Sequence, residues 1–228
     1  LPAGAGAAAE RVVIHDGGGR ADTFHRQSDG TFRCDGFFRE GSFTGDIFTL
    51  KFADTGKWVF KPLNSAPEAG KIDQIIDRNG VALTCAYNPA GLLESVSNMF
   101  GKSISVTWSA TGDRIERITD NGGRSYDYSY YGSGDSDGAE GMLQHVTPPG
   151  SGALRFTYTT GTGDPRLDGN LLASYDGEGR LNEAFTYSSA TDPLALDYDT
   201  CVSHDRNRIG STGEVCVFSR EALPADQA

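Results

Sequence analysis

Four histidines (His15, His25, His145, His204) and four cysteines (Cys34, Cys85, Cys201, Cys216) are the side chains of this 228-residue sequence best suited to metal or proton chemistry. None of the histidines stands in an HExxH spacing, no CxxC occurs, and no cysteine–histidine interval suits a zinc site. His204 and Asp205 are adjacent, which does not make a triad, and there is no GxSxG elbow to expose a serine nucleophile. "DGGGR" and "DNGGR" are rich in glycine, but a phosphate loop needs a helix N-terminus behind it. The alternation that follows both stretches predicts strands, so they read as turns. Asp135, Asp137 and Glu140 in "YGSGDSDGAEG" supply oxygen donors of the kind calcium takes, without the spacing of an EF-hand loop. The expectation is a solvated insertion between strands. No catalytic, cofactor or metal residue is expected, and the chain is not expected to be an enzyme.

Composition points the same way. The formal net charge is −11. An acidic surface repels phosphate backbones, which counts against nucleic acid as a partner. The longest apolar run falls far short of the roughly 20 residues that cross a bilayer as a helix, so no membrane span is expected. Thirty glycines imply many positive-φ positions and hence many turns. With helix-period runs absent, the fold class is all-β: short strands, little helix.

Elements that could organise such a chain appear as a repeat. "IIDRNGVALTCAY" carries Ile75, Asp77, Gly80, Leu83, Cys85 and Tyr87. "VSNMFGKSISVTW" carries Val96, Asn98, Gly101, Ile104, Val106 and Trp108. "ITDNGGRSYDYSY" carries Ile118, Asp120, Gly123, Tyr126, Tyr128 and Tyr130. "VTPPGSGALRFTY" carries Val146, Pro148, Ser151, Leu154, Phe156 and Tyr158. The Asp or Asn positions of the first three copies are 21 and 22 residues apart. Asp or Asn starts a turn by bonding the backbone two residues on, and Gly closes it at φ > 0. Three alternating apolar residues then place one face of a strand toward a core, the last of them always aromatic. A second turn lies between copies: "YNPAGLL" (Tyr87, Gly91), "WSATGDRI" (Trp108, Gly112) and "YDGEGRL" (Tyr175, Asp176, Gly179). Each copy thus predicts one β-hairpin. Serial hairpins would form an extended, twisted antiparallel sheet or partial shell, apolar inside, with terminal aromatics stacked from repeat to repeat.

"YDGEGRL" and "YNPAGLL", the period near 21 residues and the "DRNG" lead-in resemble the tyrosine–aspartate repeat, written YDxxGRL, of the Rhs (YD-repeat) proteins. The resemblance is strongest over residues 72–188 and weaker over 10–71. It implies a large secreted or cell-surface β-structure whose repeats coil into a hollow shell around a toxin cargo. Related repeats occur in insecticidal toxin complexes and in teneurin adhesion proteins. This chain is too short to close such a shell. In "TDPLALDYD", Asp192–Pro193 lacks the glycine of the family's self-cleaving DPxG-type signature, so no protease activity is carried over.

The organisation expected is a flexible leader over 1–9, a strand-rich segment over 10–71, the repeat array over 72–188 and a non-repeat segment and tail over 189–228. Within 10–71, "GDIFTLKFADTGKWVFKPL" predicts a hairpin with Phe48, Leu50 and Phe52 opposite Trp58 and Phe60. Cys201 and Cys216 flank "NRIG" symmetrically. A hairpin there would set them opposite each other, either closing a disulfide or remaining two buried thiols. The function expected is a non-catalytic scaffold. Its partners would be the rest of an Rhs-type shell and a toxin cargo. The alternatives are self-association through strand edges into a filament or surface layer, and an adhesion module for a glycan or surface receptor.

Overall fold

The structure is a computed structural model, and it describes residues 9–15, 17–36, 38–164, 167–188, 200–206 and 214–217. Every regular element among them is a strand, and every described pairing is antiparallel. The chain divides into two compact units, 1–123 and 124–228. The proposed leader, the "TDPLALDYD" stretch and the last eleven residues lie almost wholly outside the described residues.

The first unit contains β1 (Arg11–His15), β2 (Ala21–Arg26), β3 (Phe32–Arg33), β4 (Arg39–Thr44), β5 (Ile47–Phe52) and β6 (Lys57–Phe60). These are followed by β7 (Ile72–Ile76), β8 (Ala82–Tyr87), β9 (Leu93–Asn98), β10 (Ser103–Trp108) and β11 (Ile115–Asp120). Each strand pairs with its neighbours in sequence, from β1–β2 through β10–β11. The predicted hairpin within 45–63 forms as β5–β6, with Leu50 opposite Trp58. Its turn is held by the Phe52 N–H on the Gly56 carbonyl and the Gly56 N–H on Asp54 Oδ1 at 3.1 Å.

Period-two alternation in β2 to β6 sends Phe24, Phe32, Phe48, Leu50 and Phe60 to one core, where Phe24 and Leu50 are wholly buried. Val12 and Ile14 of β1 and Ile72 of β7 pack against the same cluster. The Phe48 ring meets Phe32 at 5.9 Å and Phe60 at 5.7 Å between centroids. Burial of each such side chain contributes about 1.5–3 kcal/mol.

The second unit contains β12 (Ser125–Tyr130), β13 (Leu143–Thr147), β14 (Leu154–Tyr158), β15 (Leu171–Tyr175), β16 (Leu181–Tyr187), β17 (Cys201–Arg206) and β18 (Glu214–Val217). It too is paired serially, β12–β13 through β17–β18. The cysteine hairpin exists as β17–β18, but its register corrects the expected pairing. Cys216 stands opposite His204, and Cys201 stands opposite Tyr187 on β16. Three residues of strand separate Cys201 from the position facing Cys216, roughly 10 Å at the rise of a β-strand. A disulfide requires Cα atoms within about 7 Å. Cys201 is a free thiol.

Candidate functional site

The repeated turn is the first part of the site the repeat builds. The Asp77 side chain accepts from the Asn79 and Val81 N–H groups at 2.8 and 2.9 Å. Asn88 does the same for Ala90 and Leu92, Asn98 for Phe100 and Lys102, and Asp176 for Glu178 and Arg180. Asp120 receives the Gly122 N–H at 2.8 Å. In each turn the glycine three residues on donates back to the carbonyl of the turn's first residue: Gly80 to Asp77, Gly91 to Asn88, Gly101 to Asn98, Gly112 to Ser109, Gly123 to Asp120 and Gly179 to Asp176. These glycines hold φ between 73° and 82°. With the Asp77 N–H returning to the Val81 carbonyl, this is the three-residue hairpin loop with glycine at its left-handed position.

In the first unit the two kinds of turn differ in what surrounds the glycine, whereas Gly179 of the second unit is as open as Gly80. At Gly80 a Cβ would meet nothing within 4 Å, so only the backbone conformation demands glycine. At Gly91 a Cβ would lie 2.8 Å from the Pro67 carbonyl oxygen, so the turn after β8 rests directly on the loop before β7. Leu92 in turn presses on Gly112, 2.8 Å from where a Cβ would stand. Loops at this edge of the first unit therefore pack one upon the next.

The terminal aromatic is the second part. The strand register slips at Ala86/Tyr87, Thr107/Trp108, Ser129/Tyr130, Thr157/Tyr158, Ser174/Tyr175 and Thr186/Tyr187. The aromatic thus sits at a bulge each time, and a bulge re-aims its side chain. The consequence is a clamp. Tyr87 Oη donates to the Ile72 carbonyl at 2.7 Å, Trp108 Nε1 to the Leu93 carbonyl at 2.8 Å, and Tyr187 Oη to the Leu171 carbonyl at 2.9 Å. Ile72, Leu93 and Leu171 each open the strand before the one that carries the aromatic. Sequence reasoning missed this bond. Its one visible signal is that these repeat-terminal residues are Tyr or Trp, which carry a polar tip, and never Phe.

Two expectations are corrected. Tyr87 and Trp108 do not stack on one another; a ring pair in the repeat region joins Tyr131 to Tyr158, edge-on at 6.2 Å. Nor is the apolar face fully covered. Cys85 is buried, but Ile75, Leu83 and Ile104 are 36, 41 and 48% exposed, and Tyr126 in the second unit is 46% exposed. In the first three copies the first residue of the alternating trio is the open one, and the two that follow it are half-buried or buried.

Around the first clamp the environment is tight. Burial pushes Tyr87 up to about 12 and raises the Cys85 thiol. Lys61 lies 2.9 Å from Asp73 and 3.4 Å from Glu68, and the bond to Asp73 raises the lysine.

The insertion in the second unit is tied down rather than simply solvated. Asp135 accepts from the Gly132 N–H at 2.8 Å, and Asp137 pairs with Arg155 at 3.1 Å while its carbonyl receives the Tyr158 N–H. Tyr131 Oη reaches the Phe156 carbonyl at 2.7 Å, and the Arg155 guanidinium lies over Tyr175, 4.7 Å from the ring centre. Asp137 thus already has its cation, and among the described residues no three His, Cys, Asp or Glu are grouped to hold a metal.

No protein-family model matches the chain, and no curated protein matches it. Among solved structures it is similar to a chain of the "Crystal Structure of TcdB2-TccC3-TEV", with 11% identity and a TM-score of 0.21, over 92% of this chain and 15% of that one. The chain therefore spans about 15% of the length of that structure's chain.

Proposed function

We propose that this chain is a non-catalytic β-scaffold of the Rhs/YD-repeat type, secreted or surface-associated, forming part of a wall around a toxin or effector cargo. The observation that carries the reading is the use to which the repeat's signature residues are put. Asp or Asn caps the turn, Gly closes it, and Tyr or Trp clamps the strand behind. Side chains so committed to main-chain partners build a surface rather than act on a substrate. The second reading is edge-to-edge assembly into a filament or layer. It is favoured by β1, whose one described strand partner is β2 and whose Val13 is 42% exposed. Light scattering after size exclusion, over a concentration series, separates the two. A fixed mass at all concentrations supports the scaffold; growth without an end point supports assembly and overturns the scaffold reading.

A further inference from the structure

Within the first unit, a pocket of about 540 Å³ opens between the inner side of β1 and the edge of the phenylalanine core. Its walls are largely apolar: Val12 and Ile14 from β1, Phe43 and Phe48 from the β4–β5 hairpin, Ile72 from β7. That volume lies within the range of about 300–1,000 Å³ typical of small-molecule sites. Two features of its charge are unusual in this protein. Among the described residues the lining carries the cations Arg11 and Lys71 and no carboxylate, although the chain holds 31 acidic residues against 20 Lys and Arg. Lys71 also has no acidic partner among the described residues. Its ammonium is bound by the Gly91 carbonyl and lies 5.4 Å from the centre of the Tyr87 ring. The nearby carboxylates, Asp73 and Glu68, are both engaged by Lys61. A half-buried cation held by two neutral partners at an apolar pocket retains a donor for an anion. Arg11 and His15 lie on the exposed side of β1, and Arg11 adds positive field at the rim rather than contact.

The geometry points to this pocket as a binding site for a single-chain amphipathic anion, an acyl chain with its carboxylate on Lys71. The first repeat builds the polar end of the site. Tyr87, fixed by its bond to the Ile72 carbonyl, supplies the ring beneath Lys71, and Gly91 supplies the carbonyl that holds it. A neutral chain of the same length would gain the apolar burial but not the charge-assisted bond, and a cationic one would meet repulsion.

The test is calorimetric titration of the purified chain with decanoate, decanol and decyltrimethylammonium, each below its aggregation threshold. Decanoate is expected to bind at one per chain, decanol about tenfold more weakly, as a charge-assisted bond implies, and the ammonium more weakly still. Lys71→Met keeps the apolar bulk and should lower decanoate to the level of decanol without changing decanol. Lys71→Arg should retain the preference. Equal affinity for decanoate and decanol in the native chain, several molecules bound per chain, or no binding would overturn the proposal. So would loss of decanol binding in Lys71→Met, because Lys71 would then be shaping the pocket rather than reading the charge.

Discussion

Strands β2 to β6 and the repeat strands β8 and β10 share a period-two pattern but reach different ends. In the former, alternate residues converge on a core, and Phe24 and Leu50 are wholly removed from water. In the latter, Leu83 and Ile104 occupy the same kind of alternating position and stay 41 and 48% exposed. The repeat is held instead by main-chain devices: side-chain-capped turns, stacked loops and aromatic clamps. Alternation specifies which face a side chain takes; it does not specify whether anything lies over that face. A segment with packed phenylalanines draws its stability from apolar burial. A segment with an open face must draw on hydrogen bonds that fix the backbone.

The widest gap between the two regions should appear on truncating one side chain in each. Phe48→Ala removes a ring that touches Phe32, Phe43 and Phe60, and should cost about 3–5 kcal/mol in urea unfolding. Leu83→Ala should cost about 1 kcal/mol, since much of that side chain is already in water. Equal losses would mean that the open face is covered in solution, and the contrast would fail.

Two glycines of the repeat sharpen the point about stacked loops. Gly80→Ala places a Cβ in open space and should cost about 1–2 kcal/mol for the left-handed backbone alone. Gly91→Ala bears that same cost and adds the Cβ that would lie 2.8 Å from the Pro67 carbonyl. It should be the worse by about 1 kcal/mol or more, read as a lower unfolding midpoint. A Gly80 variant as damaging as the Gly91 variant would show that the loops do not bear on each other.

The clamp calls for a subtler change. Trp108→Phe keeps an aromatic ring at the bulge and removes the N–H that reaches the Leu93 carbonyl. The expected cost is about 1 kcal/mol, with loss of amide protection concentrated in β9 and β10. Tyr87→Phe should behave alike on β7 and β8. A variant as stable as the parent would return these residues to simple apolar packing.

Much of this was legible from residue types alone. Asp77, Gly80, Asn98 and Gly101 announce their turns because the bonds involved span two to four residues, a range over which spacing is informative. The β5–β6 hairpin was legible for the same reason. The clamp was not, because it joins residues 15 or 16 apart in sequence and depends on a bulge that leaves no residue signature. Cys201 and Cys216 mislead in a related way. Symmetry about "NRIG" suggests an opposed pair, yet pairing on β17 sets Cys216 against His204. The anionic-ligand pocket was invisible too, since β1 and β7 are far apart in the chain and meet through the core.

The smallest effect expected distinguishes turns that are otherwise alike. Asp176 and Asn98 cap identical loops, but only the aspartate can be protonated. Its carboxyl is held below its ordinary value of 3.8, first by the Arg180 N–H and then by the Arg180 side chain. A group with a depressed folded value contributes stability that is present above its unfolded value and lost as pH falls through the folded one. The Asp176 turn should therefore loosen in acid, while the Asn98 turn, bonded through an amide, should not. Amide protection factors measured from about pH 5 down to about pH 2.5 should fall at Glu178 and Arg180 and hold at Phe100 and Lys102. Asp176→Asn should remove the fall, leaving a turn of the kind Asn88 and Asn98 already make. If Phe100 and Lys102 lose protection in step with Glu178 and Arg180, acid is opening the hairpins as a whole, and the carboxylate is not what holds its own turn.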